Sequence, residues 1–365
     1  MAYLEFDNVR IAALTCAVPS YVQKIGADKT PDPAYVRNFQ KQTGISQRHI
    51  SITEQTSTDF AYAAALRAME KTGWDAESID AIVFMSQLPD YNPATGNACL
   101  MQYRLGLPSG TLAFDITLGC SSFPYGLSVC AAFLQQAHVN RVLMFSGETI
   151  WPQYASREEL LRQDSFLFGE GSTALLLEKS ECTSLSVSLH TDGSGYKHML
   201  APFGGARNAW RYQPKVLLPN GAEYSGLGAY MDGLEITLFA TTTVVDSIRA
   251  FVSTQKKTLV DYDALVLHQA NLQIVSAIAK RLKIDMDKVP VSLDRYGNMG
   301  GASVSLTIAD AFANAEKNKL SLLTCGFGIG LSWGIAAFEI DSSVIDPIFT
   351  YDGRFEEGFV KPVNE

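Results

Sequence analysis

Three residues of this chain have types and positions suited to chemistry on an acyl thioester. Cys120 closes a predicted buried strand that includes Asp115, and a predicted helix follows it directly. A thiol at a helix N-terminus lies in partial positive charge, which favours the thiolate. His268 and Asn298 each follow a short apolar strand much farther along the chain. One nucleophile, one imidazole and one amide together indicate covalent catalysis.

Taken singly, each of these residues also fits a structural role. A buried cysteine is more often a small hydrophobic residue than a nucleophile, and a histidine after a strand is usually a satisfied core or surface residue. Asn298 stands beside Gly297 and could be a turn residue. These separate interpretations do not predict the joint pattern, so we favour catalysis.

Composition limits the class of protein. The chain has 365 residues, of which 47% are hydrophobic and 18% charged, which predicts a large globular core in two domains or a duplicated one. No apolar run reaches membrane-spanning length and the N-terminus has no signal pattern, so we expect a cytoplasmic protein. The net charge of −9 argues against nucleic acid as a partner. Six cysteines without metal-ligand spacing predict neither zinc nor a disulfide framework.

The order of predicted elements repeats along the chain. A helix, a linker and a strand occur over 61–85 and again over 238–267. Each half continues with a strand, a turn and a helix; the turns carry Cys120 and Asn298, and the second strand is predicted over 289–293. Alternating strands and helices predict mainly parallel sheets covered on both faces. Packing the two halves together would bring the two turns to one centre.

This repeat suggests the domain organisation. We predict an N-terminal half over 1–180 with the nucleophile, a C-terminal half over 181–345 with the histidine and asparagine, and a tail over 346–365. The Gly- and Pro-rich stretch 201–230 breaks the repeat and is predicted to be an inserted loop over the site or a plain surface excursion.

At these residues the chain resembles the ketoacyl-ACP synthase III family of the thiolase superfamily. The resemblance covers nearly the whole chain. Its most specific segments are Gly119-Cys120, His268-Gln269-Ala270-Asn271, Arg295-Tyr296-Gly297-Asn298 and Gly326-Phe327-Gly328-Ile329-Gly330. It implies an α/β, thiolase-like, duplicated five-layer α-β-α-β-α fold, a homodimer and a Cys-His-Asn site. Thiolases with a second catalytic cysteine and elongating synthases with a second histidine fit the pattern less well.

The resemblance assigns a role to each residue of the site. Cys120 would attack an acyl thioester and hold the acyl group, while the backbone N–H groups of Cys120 and Ile329 form the oxyanion hole. His268 and Asn298 would donate hydrogen bonds to the thioester carbonyl of a malonyl substrate and stabilise the enolate left by decarboxylation. The substrates would be acyl-CoA or acyl-ACP and malonyl-ACP, with no metal and no organic cofactor.

Four further residues are predicted near the substrate. Arg162 matches a family arginine near the nucleotide, and Asn92 stands where an aromatic residue often reaches into the partner subunit's acyl pocket. Phe168 is expected to pack close to the site, and Asn271 to support the residues that contact substrate.

The chain also departs from the family pattern. An adenine clamp of tryptophan and arginine is replaced by Asn38 and Gln42, and an arginine used in carrier docking is replaced by Gln273. These changes predict a specialised enzyme that prefers carrier-linked donors to coenzyme A donors. The alternative is that the same substrates remain in use, because other contacts can offset the loss of one charge-assisted contact, about 1.5–3 kcal/mol.

We therefore predict decarboxylative Claisen condensation, as in fatty-acid or polyketide assembly. One alternative is acyl transfer to an oxygen or nitrogen acceptor without decarboxylation, with His268 as general base. Another is a catalytically silent, dimer-forming subunit of a synthase complex. An acidic carrier protein would need a basic patch on this acidic chain. The candidates are Lys256/Lys257, Lys280/Arg281/Lys283 and Arg207/Arg211/Lys215.

Overall fold

The computed structural model describes the greater part of the chain. The described residues are 2–26, 32–51, 55–91, 95–149, 166–202, 216–217, 221, 223–224 and 230–356. The strands are β1 (Ala2–Val18), β2 (Val22–Lys24), β3 (Gln47–His49), β4 (Ala81–Met85), β5 (Leu112–Ile116), β6 (Arg141–Glu148), β7 (Gly171–Thr191), β8 (Met199–Leu200), β9 (Val216–Leu217), β10 (Glu223–Tyr224), β11 (Tyr230–Met231), β12 (Ala264–Leu267), β13 (Lys319–Gly328), β14 (Ser332–Asp341) and β15 (Phe349–Thr350). The α-helices are α1 (Pro33–Thr43), α2 (Ser57–Thr72), α3 (Asn97–Arg104), α4 (Ser122–Leu134), α5 (Gly233–Thr254, with a π turn over Ala240–Val244), α6 (Leu272–Leu282), α7 (Leu293–Tyr296) and α8 (Ser303–Phe312).

The long strands β1 and β7 are shared by both halves of the molecule. Among the described residues, nine strands form one hydrogen-bonded sheet. Seven of them lie in the spatial order β12-β13-β14-β7-β6-β4-β5, and β1 and β15 lie beside this path, with β1 pairing with β7 and β15 with β1. Residues 9–17 of β1 pair with 172–179 of β7 in the half that contains β6, and residues 2–7 pair with 184–189 in the half that contains β14. The register shifts at Asn8, whose φ of 60° breaks the regular ladder there.

Side-chain alternation along β4 shows what covers each face. Ala81, Val83 and Met85 belong to a core cluster that also contains residues of α4 and α8. Ile82 and Phe84 belong to a second cluster, together with residues of α2 and α3. Successive side chains of a strand point to opposite faces, so β4 lies between two helical layers.

The strand β12 shows the same arrangement in the second half. Ala264 and Val266 join the cluster that contains α4 and α8, whereas Leu265 and Leu267 pack with α5 and α6. The helices α4 and α8 therefore form a central layer between two sheet layers, and the other helices form the two outer layers. The predicted five-layer α-β-α-β-α fold is confirmed.

The helix α5 belongs to an outer layer. Its 22 residues are long and apolar enough to cross a membrane by length and composition alone. Half of its apolar stretch is buried, and Phe239, Ile248 and Phe251 are among its core residues. This is the pattern of a helix that packs on a sheet.

Three expectations about strands are wrong. The large sheet is mixed and not mainly parallel, because β7 pairs antiparallel with β1, β6 and β14, and β13 pairs antiparallel with β14. No strand forms over 289–293, because Pro290 has no N–H to donate and the Gln269 side chain takes the place of a neighbouring strand. Its Oε1 accepts from the Ser292 N–H at 3.1 Å and its Nε2 donates to the Pro290 carbonyl at 3.4 Å. The strand before Cys120 is β5, which is not buried: in the described residues it pairs with β4 alone, at the edge of the sheet.

The described part of the predicted tail packs on the N-terminal half. The strand β15 pairs in parallel with the end of β1. Phe355 lies under the Arg104 guanidinium, 4.9 Å from the ring centroid, and its N–H donates to Asp59 at 2.8 Å. The predicted division of the chain at 180/181 falls inside β7 and stays a prediction. Most of the stretch 201–230 lies outside the described residues.

Candidate active site

The turn that carries Cys120 lies between β5 and α4 and is surrounded by glycines. A Cβ built on Gly328 would lie 2.6 Å from the Cβ of Cys120 and 2.9 Å from its sulfur. A Cβ on Gly326 would lie 2.8 Å from the Cys120 carbonyl oxygen. Any larger residue at these two positions of β13 would displace the nucleophile turn, so the glycines provide the space in which Cys120 sits.

The sulfur of Cys120 is desolvated. Burial raises the pKa of this thiol to about 11; a hydrogen bond from the backbone N–H of Ile329 opposes the shift, and the Glu148 carboxyl group adds to it. Cys120 does precede the helix N-terminus, as predicted. However, the expectation that this position favours the thiolate is wrong, because desolvation of the sulfur is the larger effect on its pKa.

The turn that carries Asn298 is fixed by hydrogen bonds. The Asn298 N–H donates to the Leu167 carbonyl at 2.9 Å, and its own carbonyl accepts from the Gly169 N–H at 3.0 Å. The side-chain Oδ1 accepts from the Gly300 N–H at 2.9 Å. Since Oδ1 is occupied in this way, the amide orientation is set and Nδ2 is the group that can donate to a substrate.

The ring of His268 is buried and neutral. It follows β12, is 2% exposed, and packs edge-on against Phe327. Its Nδ1 lies 2.6 Å from the Ser303 hydroxyl. Burial lowers the pKa of His268 to about 4, although a hydrogen bond to the Gly300 backbone opposes the shift. The imidazole therefore carries no charge at neutral pH.

The structure brings these groups together at the ends of α4 and α8. The two turns touch, because a Cβ on Gly301 would lie 3.1 Å from the Gly119 carbonyl oxygen and 2.5 Å from the Ser122 hydroxyl. Gly300 binds both Asn298 and His268. The turn that carries the nucleophile thus contacts the turn that carries Asn298, and Gly300 of that second turn is also hydrogen-bonded to His268.

Two family models match the two parts of the chain that contribute residues to this site. The model described as 3-oxoacyl-[acyl-carrier-protein (ACP)] synthase III matches residues 114–193, and the model of its C-terminal part matches residues 252–340. A β-ketoacyl-[acyl-carrier-protein] synthase III of Xanthomonas euvesicatoria is 37% identical over 307 residues, which cover 81% of this chain and 87% of that protein. The chain belongs to the 3-oxoacyl-ACP synthase III family.

Solved structures agree with this family assignment. A 3-oxoacyl-ACP synthase of Burkholderia xenovorans superposes with a TM-score of 0.87 at 30% identity, covering 96% of this chain and 99% of that one. The priming β-ketosynthase of the R1128 polyketide pathway shares the fold, with a TM-score of 0.77 at 24% identity over 92% of this chain and 98% of that one. The predictions of the family, of the thiolase-like fold and of an acyltransferase of the condensing-enzyme class are confirmed.

Of the four other site residues predicted for this synthase III family member, the structure describes two. The Phe168 backbone bridges to Asn298, and its carbonyl accepts from Arg48 at 2.8 Å. Asn271 caps α6, with its Oδ1 accepting from the Ile274 N–H at 2.8 Å. Asn92 and Arg162 lie outside the described residues. The substrate contacts of all four remain predictions.

Two residues that contact the site were given no role from the sequence. Ser303 begins α8 and holds the His268 ring, and Glu148 ends β6 and acts on the Cys120 thiol. The sequence did contain a signal for Glu148. An acidic residue stands at the end of an apolar strand there, just as His268 stands at the end of an apolar strand in the other half. For Ser303 the sequence shows only a serine at a helix start, which usually indicates a cap.

Proposed function

We propose that Cys120 accepts an acyl group from a thioester and that the acyl-enzyme condenses with malonyl-ACP, with loss of carbon dioxide. The observation that supports this proposal is the contact between the two turns at Gly119 and Gly301. On one turn the Cys120 sulfur accepts from the Ile329 N–H, and on the other Gly300 is hydrogen-bonded to both His268 and Asn298. Neither a metal nor an organic cofactor takes part in the proposed reaction.

Acylation is the first half-reaction. The Cys120 sulfur attacks the thioester carbonyl, the N–H groups of Cys120 and Ile329 stabilise the oxyanion, and the donor thiol leaves. Because burial holds the Cys120 pKa at about 11, the thiol loses its proton only as the sulfur attacks, and that proton leaves on the departing donor thiol. Attack therefore depends on donors placed where the negative charge develops rather than on a thiolate formed in advance.

Condensation is the second half-reaction. Loss of carbon dioxide from the malonyl group leaves an enolate, which attacks the acyl carbon and displaces Cys120. The tautomer proposed for this step has the ring proton on Nε2, where it can donate to the malonyl thioester carbonyl, and the Ser303 hydroxyl then donates to Nδ1 of His268. Nδ2 of Asn298 supplies the second donor. Neutral donors suit this step, because they stabilise the developing charge without first having to lose a proton.

The same geometry bears on the alternative of acyl transfer without decarboxylation. That reaction needs His268 as a general base, and an efficient base has a pKa near the working pH. The pKa of about 4 makes His268 a weak base and favours its use as a hydrogen-bond donor. A silent subunit would not need the oriented Asn298 amide.

The carrier protein is proposed to dock on basic residues at the end of α6. Lys280, Arg281 and Lys283 are exposed there, and Arg249 of α5 donates to the Arg281 carbonyl. The exposed pair Lys256 and Lys257 follows α5. Of the earlier candidates, Arg207, Arg211 and Lys215 lie outside the described residues. A positive surface would attract an acidic carrier despite the net charge of −9.

We also propose a cytoplasmic homodimer. The edge strand β5 supports it, because unpaired edges are normally covered. Leu112 of β5 is 44% exposed and Tyr103 of the neighbouring α3 is 67% exposed. The exposed residues Asn38 and Gln42 on α1 support a carrier-linked acyl donor, because neither can clamp an adenine ring as the family's tryptophan and arginine do.

The experiment combines acyl loading with release of carbon dioxide. Purified protein is supplied with matched acyl-CoA and acyl-ACP donors and then with [1,3-¹⁴C]malonyl-ACP. We expect acyl-ACP to load faster and radioactive carbon dioxide to appear in proportion to the ketoacyl product. Transfer of the acyl group to an alcohol or amine without carbon dioxide would establish the alternative activity, and equal or faster loading from coenzyme A would contradict the carrier preference.

A further inference from the structure

Glu148 is a buried carboxyl group that the proposed reaction leaves unused. It ends β6 and is 8% exposed. Its Oε1 accepts from the Gln87 N–H at 3.1 Å, and its Oε2 lies 3.3 Å from the Ser86 hydroxyl. Burial of a carboxyl group without strong compensation is costly, so its presence at this point needs an explanation.

Two loops of the site contact the Glu148 side chain, and one of them also contacts the nucleophile turn. Ser86 and Gln87 form the loop after β4, and the Gln87 side chain packs against Gly119, with a Cβ on that glycine lying 2.8 Å from Gln87 Cδ. On another side, a Cβ on Gly300 would lie 2.8 Å from Glu148 Cγ. Glu148 therefore contacts the glycine that binds Asn298 and His268, and it reaches the nucleophile turn through Gln87.

We propose that Glu148 is a positioning residue that holds the nucleophile turn and the Asn298 turn in register. It touches neither substrate, and it acts through Gln87 and Gly300. This inference rests on the proposed function for its effect on condensation, but its effect on the thiol does not depend on that function.

The charge state of Glu148 is part of this role. Burial raises the pKa of its carboxyl group to about 8, and the hydrogen bonds from Gln87 and Ser86 only partly oppose the shift. In the described residues, the groups that face it from the β4 loop are a hydroxyl and an amide, and Cys120 is the titratable group whose pKa its charge raises. His268 is hydrogen-bonded to the backbone of the same Gly300. Ionisation above pH 8 would disfavour negative charge on the sulfur.

The test compares Glu148→Gln with wild type and with the matched surface control Glu70→Gln. Iodoacetamide alkylation of Cys120 is followed by peptide mass spectrometry at pH 6.5 and pH 9, with the exposed Cys99 as an internal standard. At pH 6.5 the variant and wild type should react alike. At pH 9 the variant should react about threefold faster or more, because it lacks the neighbouring negative charge.

Condensation provides the second readout. Wild-type condensation should fall above pH 8, whereas Glu148→Gln should keep its rate to a higher pH. Glu148→Ala should lose condensation more than acyl loading, because the Asn298 turn loses its support. Equal alkylation ratios at the two pH values, together with superimposable pH profiles of condensation, would overturn the proposal. If no variant loads an acyl group, the proposed function fails, while the alkylation ratios still decide the role of Glu148.

Discussion

The two turns at the centre of the molecule occupy equivalent places in the two halves but are built differently. Around Cys120, Gly326 and Gly328 have no side chains, and the nucleophile turn occupies the space that this leaves. Around Asn298, the backbone N–H, the backbone carbonyl and the side-chain Oδ1 are all occupied by hydrogen bonds. One turn is accommodated by the absence of side chains on its neighbours, and the other is held by hydrogen bonds to its backbone and to Oδ1.

The difference matches what each half-reaction requires. A nucleophile changes its covalent partner during turnover and needs room for the acyl group. Donors that stabilise an oxyanion or enolate are effective when they are preorganised and do not have to move as charge develops. The comparison therefore predicts that damage to the second turn separates condensation from acylation.

The largest effect is expected from His268→Ala. Condensation should fall by about 10²–10³-fold, as when one preorganised oxyanion donor is removed, while acyl loading on Cys120 should remain near normal. The measurement pairs loading by intact mass with release of carbon dioxide, and the exposed His138→Ala serves as the matched control. Equal losses in both half-reactions would contradict the proposal that His268 acts in condensation and not in acyl loading.

The buried imidazole also affects stability at acid pH. The folded-state pKa of His268 is lowered from 6.5 to about 4, so its contribution is present above pH 6.5 and is lost as pH falls through this window. The loss should reach about 3 kcal/mol near pH 4. Urea unfolding across this window should therefore show a shallower pH dependence for His268→Gln than for wild type or His138→Gln. Equal slopes would show that the ring is not held neutral.

Gly300→Ala tests how tightly the second turn is held. Gly300 has φ of 53°, and a new Cβ would meet Glu148 Cγ at 2.8 Å. We expect a cost of about 1–3 kcal/mol in stability, with condensation reduced more than loading. Gly110→Ala is the control, because a Cβ there meets nothing within 4 Å. A variant as stable and as active as that control would show that the turn tolerates movement.

The smallest effect is expected from Ser303→Ala. Removing the hydroxyl beside Nδ1 of His268 should cost about 0.5–1.5 kcal/mol, the value of a single neutral hydrogen bond. That corresponds to a severalfold lower kcat for condensation with KM for the donor unchanged. The exposed Ser253→Ala is the control. A larger effect on acyl loading than on condensation would place Ser303 with the nucleophile instead.

Most of the fold and the three central residues of the site could be predicted from the sequence, because both depend on local patterns. The strands β4 and β12 have the predicted bounds 81–85 and 264–267, and Cys120 and His268 follow strands as expected. The missing strand over 289–293 was not predictable, because the side chain of Gln269 replaces strand pairing there.

The shift in the pKa of the Cys120 thiol could not be predicted from the sequence either. A helix start predicts a favoured thiolate at Cys120, but the surroundings of the sulfur depend on residues more than 200 positions away, in β13 and at Ile329 directly after it. Glu148 affects the thiol only because β6 ends beside the turn. Such effects depend on which strand ends meet, and local patterns do not specify that.

The central claim is that Cys120 carries the acyl group, and intact-protein mass spectrometry after incubation with acyl-CoA and acyl-ACP donors tests it most directly. We expect one acyl mass on the wild-type chain and on Cys99→Ala, whose cysteine is exposed, and none on Cys120→Ala. Normal acyl loading of a folded Cys120→Ala protein would contradict the account.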